Sequence, residues 1–322
     1  SSLISSFTSN IKKIKISGEN FSDETILNKI NKKWYLESPI QWTANQFAVN
    51  EIIQQLNLME EKAVFSVDEL KKTNQSLADY GLETPLLSLE LFQENRSLII
   101  NIGLSTALGN KIYMFLPNKK RVYVVENNLL KNKPYEIEDL RQKTIFDIPQ
   151  FEISSLYFQI SNSILGSPED LSVRINKNLK DSAWYFESPL EAYADQTLVS
   201  EKISSLTSID VIKFLDPTIL DEALLGFDKP TMKISIQGNK KRQTLILGNK
   251  VTNKNQRLNY YAKLESNDSV FIVDSKIFNE LVESQKELRN KDFIKFNPDS
   301  LSSIEILDAK KTINLQKLEN DE

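Results

Sequence analysis

Histidine and cysteine are both absent from this sequence, and glycine (8) and tryptophan (3) are scarce among its 322 residues. The first two absences remove whole chemistries. Without an imidazole or a thiol there is no Ser-His-Asp or Cys-His nucleophile system and no thiol redox couple. Almost none of the donor sets that hold zinc, haem or iron–sulfur clusters remain. Carboxylate, lysine and tyrosine chemistry stays open. A lack of cysteine suits a cytosolic protein and a disulfide-free envelope protein equally. No run of 18 or more apolar residues occurs, so no segment reads as a membrane-spanning helix. Nor is there a long basic block. Lys+Arg 40 against Asp+Glu 44 gives a net charge of −4, with both signs mixed along the chain. A nucleic-acid binder gathers positive charge on one face or arm, so no nucleic-acid partner is expected. The nearest candidate, Lys240-Lys241-Arg242, lies between two apolar runs and reads as a hairpin turn.

What is present is a folded protein's balance, 40 % apolar and 26 % charged, in a chain long enough for two ordinary domains. Self-similarity shows how it is divided. Trp34-Tyr35-Leu36-Glu37-Ser38-Pro39-Ile40 returns 150 residues later as Trp184-Tyr185-Phe186-Glu187-Ser188-Pro189-Leu190. Tyr80-Gly81-Leu82-Glu83-Thr84-Pro85 returns as Leu225-Gly226-Phe227-Asp228-Lys229-Pro230, and Ile102-Gly103 as Leu247-Gly248. Leu140-Arg141-Gln142-Lys143 returns as Leu288-Arg289-Asn290-Lys291. The order is kept with a few residues of slippage, as loop insertions produce.

Each unit reads as an α+β fold. Two opening strands (Ile11 to Ser17 and Thr25–Ile30; Leu156 to Ser161 and Leu171–Asn176) precede the Trp strand, which Pro39 or Pro189 stops. A helix follows, with Asn45 or Asp195 as the expected N-cap and apolar residues at helical spacing. A short helix ends at Gly81 or Gly226, a meander of four strands follows, and a closing helix ends near Arg141 or Arg289. Pro134 must interrupt the first closing helix, whereas Ser275–Arg289 reads as continuous. Strands mixed with a few helices, without βαβ regularity, predict two tandem repeats, each a mainly antiparallel sheet with two to three helices.

Residues 1–10 read as a Ser-rich linker, 11–152 as the first unit and 153–302 as the second. The start at Ser1 leads us to expect a further segment upstream. Ser303-Ile304-Glu305-Ile306 and Thr312-Ile313-Asn314-Leu315 match the opening strands, so 303–322 reads as the start of a third unit or a closing hairpin of the second. The latter is the expectation: each opening hairpin would pair with the preceding unit's sheet and join the copies through a shared edge.

The prominent residues all have structural readings. Trp34 and Trp184 are expected in the core. Trp42, past the strand-ending proline, is the better candidate for an exposed stacking platform. Arg141 and Arg289 suit the last turn of a helix, where a cation meets the dipole and a carboxylate. Glu37 and Glu187 sit in separate copies, too far apart for a paired-carboxylate site. Gly103 and Gly248 belong to no phosphate-binding pattern and read as strand-end turns or bulges. Asp216, Asp221 and Glu222 read as a helix start, lacking the spacing of a calcium loop. No catalytic, cofactor-binding or metal-ligating residue is assigned, and no cofactor is expected.

Taken together and found twice, these landmarks resemble the bacterial family called domain of unknown function 4340. The resemblance implies extracytoplasmic repeats behind an N-terminal membrane anchor, acting beside ABC-2-type transporter components. It carries over no functional residues. The expected function is therefore a non-enzymatic accessory or scaffold module of the cell envelope, on the periplasmic side, with transporter subunits as protein partners and the membrane reached through a segment outside this sequence. The alternative is a module that binds a glycan, peptide or lipid in the cleft between the repeats. A carboxylate-dependent hydrolase would need two acidic side chains converging in one pocket.

Overall fold

The computed structural model describes residues 4–19, 21–107, 110–131, 135–215, 221–252, 257–284, 288, 302–308 and 311–316. In the first unit, helix α1 (Ser5–Thr8) precedes strands β1 (Lys13–Ser17), β2 (Thr25–Ile30), β3 (Lys33–Ser38) and β4 (Trp42–Thr43). Helix α2 (Gln46–Asn57), strand β5 (Glu61–Ser66) and helix α3 (Val67–Lys72) come next. The meander is β6 (Leu87–Phe92), β7 (Ser97–Ser105), β8 (Lys111–Leu116) and β9 (Arg121–Glu126), closed by α4 (Asn128–Lys131) and α5 (Ile137–Leu140). These strands form one nine-stranded antiparallel sheet in the order β4-β3-β2-β1-β6-β7-β8-β9-β5.

The second unit repeats the plan. Its strands are β10 (Ser155–Ile160), β11 (Leu171–Lys177), β12 (Trp184–Ser188), β13 (Ala192–Tyr193), β14 (Lys213–Phe214), β15 (Met232–Gln237), β16 (Arg242–Thr252), β17 (Leu258–Leu264) and β18 (Val270–Asp274). Its helices are α6 (Asn162–Leu165), α7 (Gln196–Thr207), α8 (Glu222–Leu225) and α9 (Lys276–Ser284). The order β13-β12-β11-β10-β15-β16-β17-β18-β14 is the first sheet over again. A separate hairpin, β19 (Ser303–Asp308) and β20 (Lys311–Gln316), follows.

Period-2 alternation sets which face is buried. β1 buries Ile14 and Ile16, and β6 buries Leu87, Leu89 and Leu91 on the same side. Helix α2 covers that side with Ala48, Val49, Ile52 and Leu56. Each buried Val, Ile or Leu among these stabilises by about 1.5–3 kcal/mol. In the first unit a smaller cluster of Leu70, Leu82, Phe115 and Val122 forms apart from this core, with Tyr80 and Tyr113 against it. The predicted caps are present: the side chain of Asn45 accepts from the Phe47 and Ala48 amides, and that of Asp195 from Thr197 and Leu198.

Gly103 and Gly248 each lie at a bulge, where the register shifts between Ile102 and Ser105 and between Leu247 and Lys250. A Cβ at Gly103 would collide with the Tyr80 carbonyl oxygen, and one at Gly248 with that of Leu225. The bulge therefore brings the strand against the turn that precedes the meander, closer than any side chain permits.

Several expectations are corrected. Opening hairpins do not pair with the preceding unit's sheet. β10 lies between β11 and β15, and β11 lies beside β12, all within the second sheet. Leu156, Phe158 and Ile160 match the buried face of β15, and a strand bonded on both sides has no edge left for another sheet. Among the described residues the β19–β20 hairpin forms a two-stranded sheet of its own and joins neither nine-stranded sheet. Residues 4–8 are not a linker, because Ile4, at the N-cap of α1, and Phe7, within it, are buried in the core that α2 shares. β5 is a strand the sequence reading lacked. The first closing helix is two pieces, α4 and α5, with Pro134 outside the described residues. Of Ser275–Arg289, α9 covers Lys276–Ser284, and Arg289 lies outside the described residues.

Candidate functional site

Most repeated landmarks prove to hold the fold. Trp34 and Trp184 are core residues, 1 % and 4 % exposed. A lysine ammonium lies over each ring, Lys29 at 5.4 Å and Lys177 at 5.0 Å from the centroid. The residue after each helix cap, unnoticed in the sequence, does the same job twice. Gln46 accepts from the Trp34 amide (2.8 Å) and donates to the Trp34 and Ala44 carbonyls (2.9 and 2.8 Å). Gln196 accepts from the Trp184 amide (2.6 Å) and donates to the Trp184 and Ala194 carbonyls (3.0 and 2.7 Å). One side-chain amide thus ties the start of the helix to the Trp strand and to the residue two before the glutamine, Ala44 or Ala194. The only signal was Asn/Asp-Gln at identical places in both copies.

Where the units meet, side chains of one enter the other. Trp42 is not an exposed platform: it is 5 % exposed. Its ring packs edge-on against Phe214 (5.1 Å) and Phe271 (5.2 Å) of the second sheet, and its Nε1 donates to the Gln142 carbonyl at 2.8 Å. Arg141 follows α5, as expected, and its guanidinium binds Glu138 through Nε (2.9 Å) and Nη2 (2.6 Å). It also crosses the boundary, donating to the Val211 carbonyl (3.2 Å) and lying over the Phe214 ring at 5.3 Å. Residues 143–147 bond along the second unit: Ile145 N to Ile209 O at 3.0 Å, Val211 N to Lys143 O at 3.0 Å. Asp147 pairs with Lys241 Nζ at 2.5 Å, and Ser269 Oγ donates to the Gln41 carbonyl at 3.2 Å. One hydrophobic core runs through both units.

Beside this contact is an open groove of about 390 Å³, lined among others by Tyr35, Glu37, Trp42, Lys241, Arg242 and Leu264. Its charges already have partners within the protein. Glu37 is bonded to Lys13 (3.5 Å) and to the Asn28 amide, Lys241 to Asp147, and Arg242 to Ser235 Oγ at 3.3 Å. The groove therefore combines aromatic and aliphatic side chains with polar ones whose charges are engaged within the protein.

A larger depression, about 570 Å³, lies in the second unit and includes Asp210, Asp274 and Glu280 in its lining. Asp274 accepts from the Lys276 amide at the start of α9 (2.8 Å), and Glu280 pairs with Lys202 at 2.9 Å. These bonds give both carboxylates structural duties. Among the described residues no cluster of three acidic side chains is arranged to hold a metal ion.

Glu37 and Glu187 line different depressions, which share Arg242. Asp221 caps α8, accepting from the Ala223 amide at 3.0 Å, while Asp216 lies outside the described residues. Lys240 and Lys241 form the β15–β16 turn and Arg242 opens β16, as expected.

Fold and junction define a tandem-repeat α+β protein built from two nine-stranded antiparallel sheets. The family model of the Domain of unknown function (DUF4340) matches residues 34–181 and again 184–322. The chain belongs to this family, as two tandem copies. Comparisons with curated proteins and with solved structures give no match.

Proposed function

We propose that this chain is a non-enzymatic accessory or scaffold module of the cell envelope, on the extracytoplasmic side, that works with an ABC-2-type transporter complex. The observation that carries the scaffold reading is that the shared landmarks, Trp34/Trp184, Gln46/Gln196 and Gly103/Gly248, are each engaged in tying one element of a unit to another. A module that repeats its architecture and keeps its rigid parts internal presents large surfaces to other proteins. The transporter and the compartment enter through what the family resemblance implies. The test is tagged full-length protein, cross-linked in its native cells and purified in detergent. Transporter subunits are the expected co-purifying proteins. Recovery from the soluble fraction without them would overturn the proposal.

The junction groove supports a second reading, a module that binds a glycan, peptide or lipid fragment between the repeats. Tyr35, Leu264 and the edge of Trp42 supply its apolar floor. Titration with panels of these ligands, read by calorimetry on the wild type and on Tyr35→Ala, checks it. Binding lost in the variant supports the groove, and silence across all panels removes it.

A further inference from the structure

The β19–β20 hairpin has the register of the two opening hairpins. In the second unit Leu156 faces Ile175 and Phe158 faces Val173. In the first, Ile14 faces Leu27 and Ile16 faces Thr25. In β19–β20, Ile304 faces Leu315 and Ile306 faces Ile313. The eight residues of the two seated hairpins are all buried, but Ile306 and Ile313 are each 49 % exposed and Leu315 55 %. A seated hairpin is also the seam of its sheet. Its first strand bonds to the β6 or β15 strand and its second to the Trp strand. Among the described residues the strands β19 and β20 bond only to each other, so both outer edges carry backbone groups that pair with protein in the other two hairpins.

The family boundaries supply an independent argument. Each match begins at a Trp strand and runs past the following hairpin. The hairpin of residues 155–177 closes the first matched segment, yet its strands sit in the second sheet. A matched segment is therefore incomplete alone: it takes a hairpin from before it and supplies one to the next. By the same rule the second segment supplies β19–β20. We propose that this hairpin is the seam of a third sheet, and that its partner is a further DUF4340 segment placed head to tail behind the second. That segment's Trp strand would bond to β20 and its first meander strand to β19. A second copy of this chain fits worse, because the seams of both its sheets are already filled by β1–β2 and β10–β11.

The test appends a copy of residues 184–302 directly behind Glu322 of the whole chain. This puts the added tryptophan seven residues after Gln316, between the six from Asn28 to Trp34 and the eight from Asn176 to Trp184. Hydrogen exchange is then followed at residues 303–316. Their amides should slow by about 100-fold or more on extension, as expected for strands that open only with their sheet. Ile306→Lys combined with Ile313→Lys should abolish that protection while leaving the thermal unfolding of the 322-residue chain unchanged. Equal exchange with and without the extension overturns the proposal, as does an added segment that folds equally well with the double lysine variant. Self-association of the 322-residue chain that the double variant abolishes would assign the face to a second copy, and would also overturn it.

Discussion

Opposite Leu36 in the first unit stands Trp42; opposite Phe186, at the same place in the second, stands Ala192. Trp42 reaches out of its own sheet into the aromatic pair Phe214 and Phe271, and the alanine reaches nothing comparable. The far edges diverge in the same sense. In the first unit β5 is a six-residue edge strand whose exposed Glu61 and Lys62 suit an edge left open to water. In the second, β14 is two residues long and its Phe214 packs against Trp42 and Arg141. The landmarks Trp34/Trp184 and Gln46/Gln196 hold each unit together, whereas the junction combines the shared Arg141 with Trp42 and Phe214, which differ between the copies.

The largest expected effect breaks that contrast. Trp42→Ala should cost about 3–5 kcal/mol, the usual range for removing a buried tryptophan. Denaturant unfolding followed by fluorescence should then separate into two transitions, because the core shared across the junction is cut there. A single transition at unchanged midpoint would show that the units are coupled elsewhere.

Gln46→Ala and Gln196→Ala sharpen the other half of the comparison. Each leaves a part-buried strand amide and two carbonyls without their side-chain partner, a loss of about 1–3 kcal/mol. The two variants should agree within about 0.5 kcal/mol if the landmark does the same work in both copies. Asn45→Ala and Asp195→Ala should each cost about 1 kcal/mol through the lost cap, again read from denaturant midpoints.

The smallest effect at neutral pH belongs to Tyr135, whose hydroxyl is buried with no hydrogen-bond partner among the described residues. Burial, and secondarily the nearby Glu51 carboxylate, push its phenol well above the usual range. The folded state therefore holds this proton more tightly than the unfolded chain does. The contribution to stability is whole below the unfolded value of about 10 and is lost as pH rises from there toward the folded value. Tyr135→Phe should change stability by no more than about 1 kcal/mol at pH 7 and should flatten the decline in melting temperature above pH 10. An unchanged alkaline decline would place its cause in another group.

Legibility in the sequence followed the range of the interaction. The helix caps at Asn45 and Asp195, the bulge glycines and the burial of Trp34 and Trp184 are written in a few adjacent residues, and twice over. Trp42 was misread because its surroundings are Phe214 and Phe271, far along the chain, and no local pattern announces them. β5 escaped notice because an edge strand exposed on most of its length shows little alternation. Gln46 and Gln196 looked like ordinary helix residues, since their partners lie across a turn.

By itself, then, the sequence determined the repeat, most of the strands in their order and the capped start of the helix that follows the Trp strand. Those are consequences of periodicity, capping and the conformational freedom of glycine, which act over a few residues. Only the tertiary structure decided which sheet each hairpin enters. A hairpin with one apolar face and two open edges fits any matching seam, and the choice is made by the strands that meet it. The same reasoning made the junction visible only once Trp42, Arg141 and Phe214 were brought together from three distant segments.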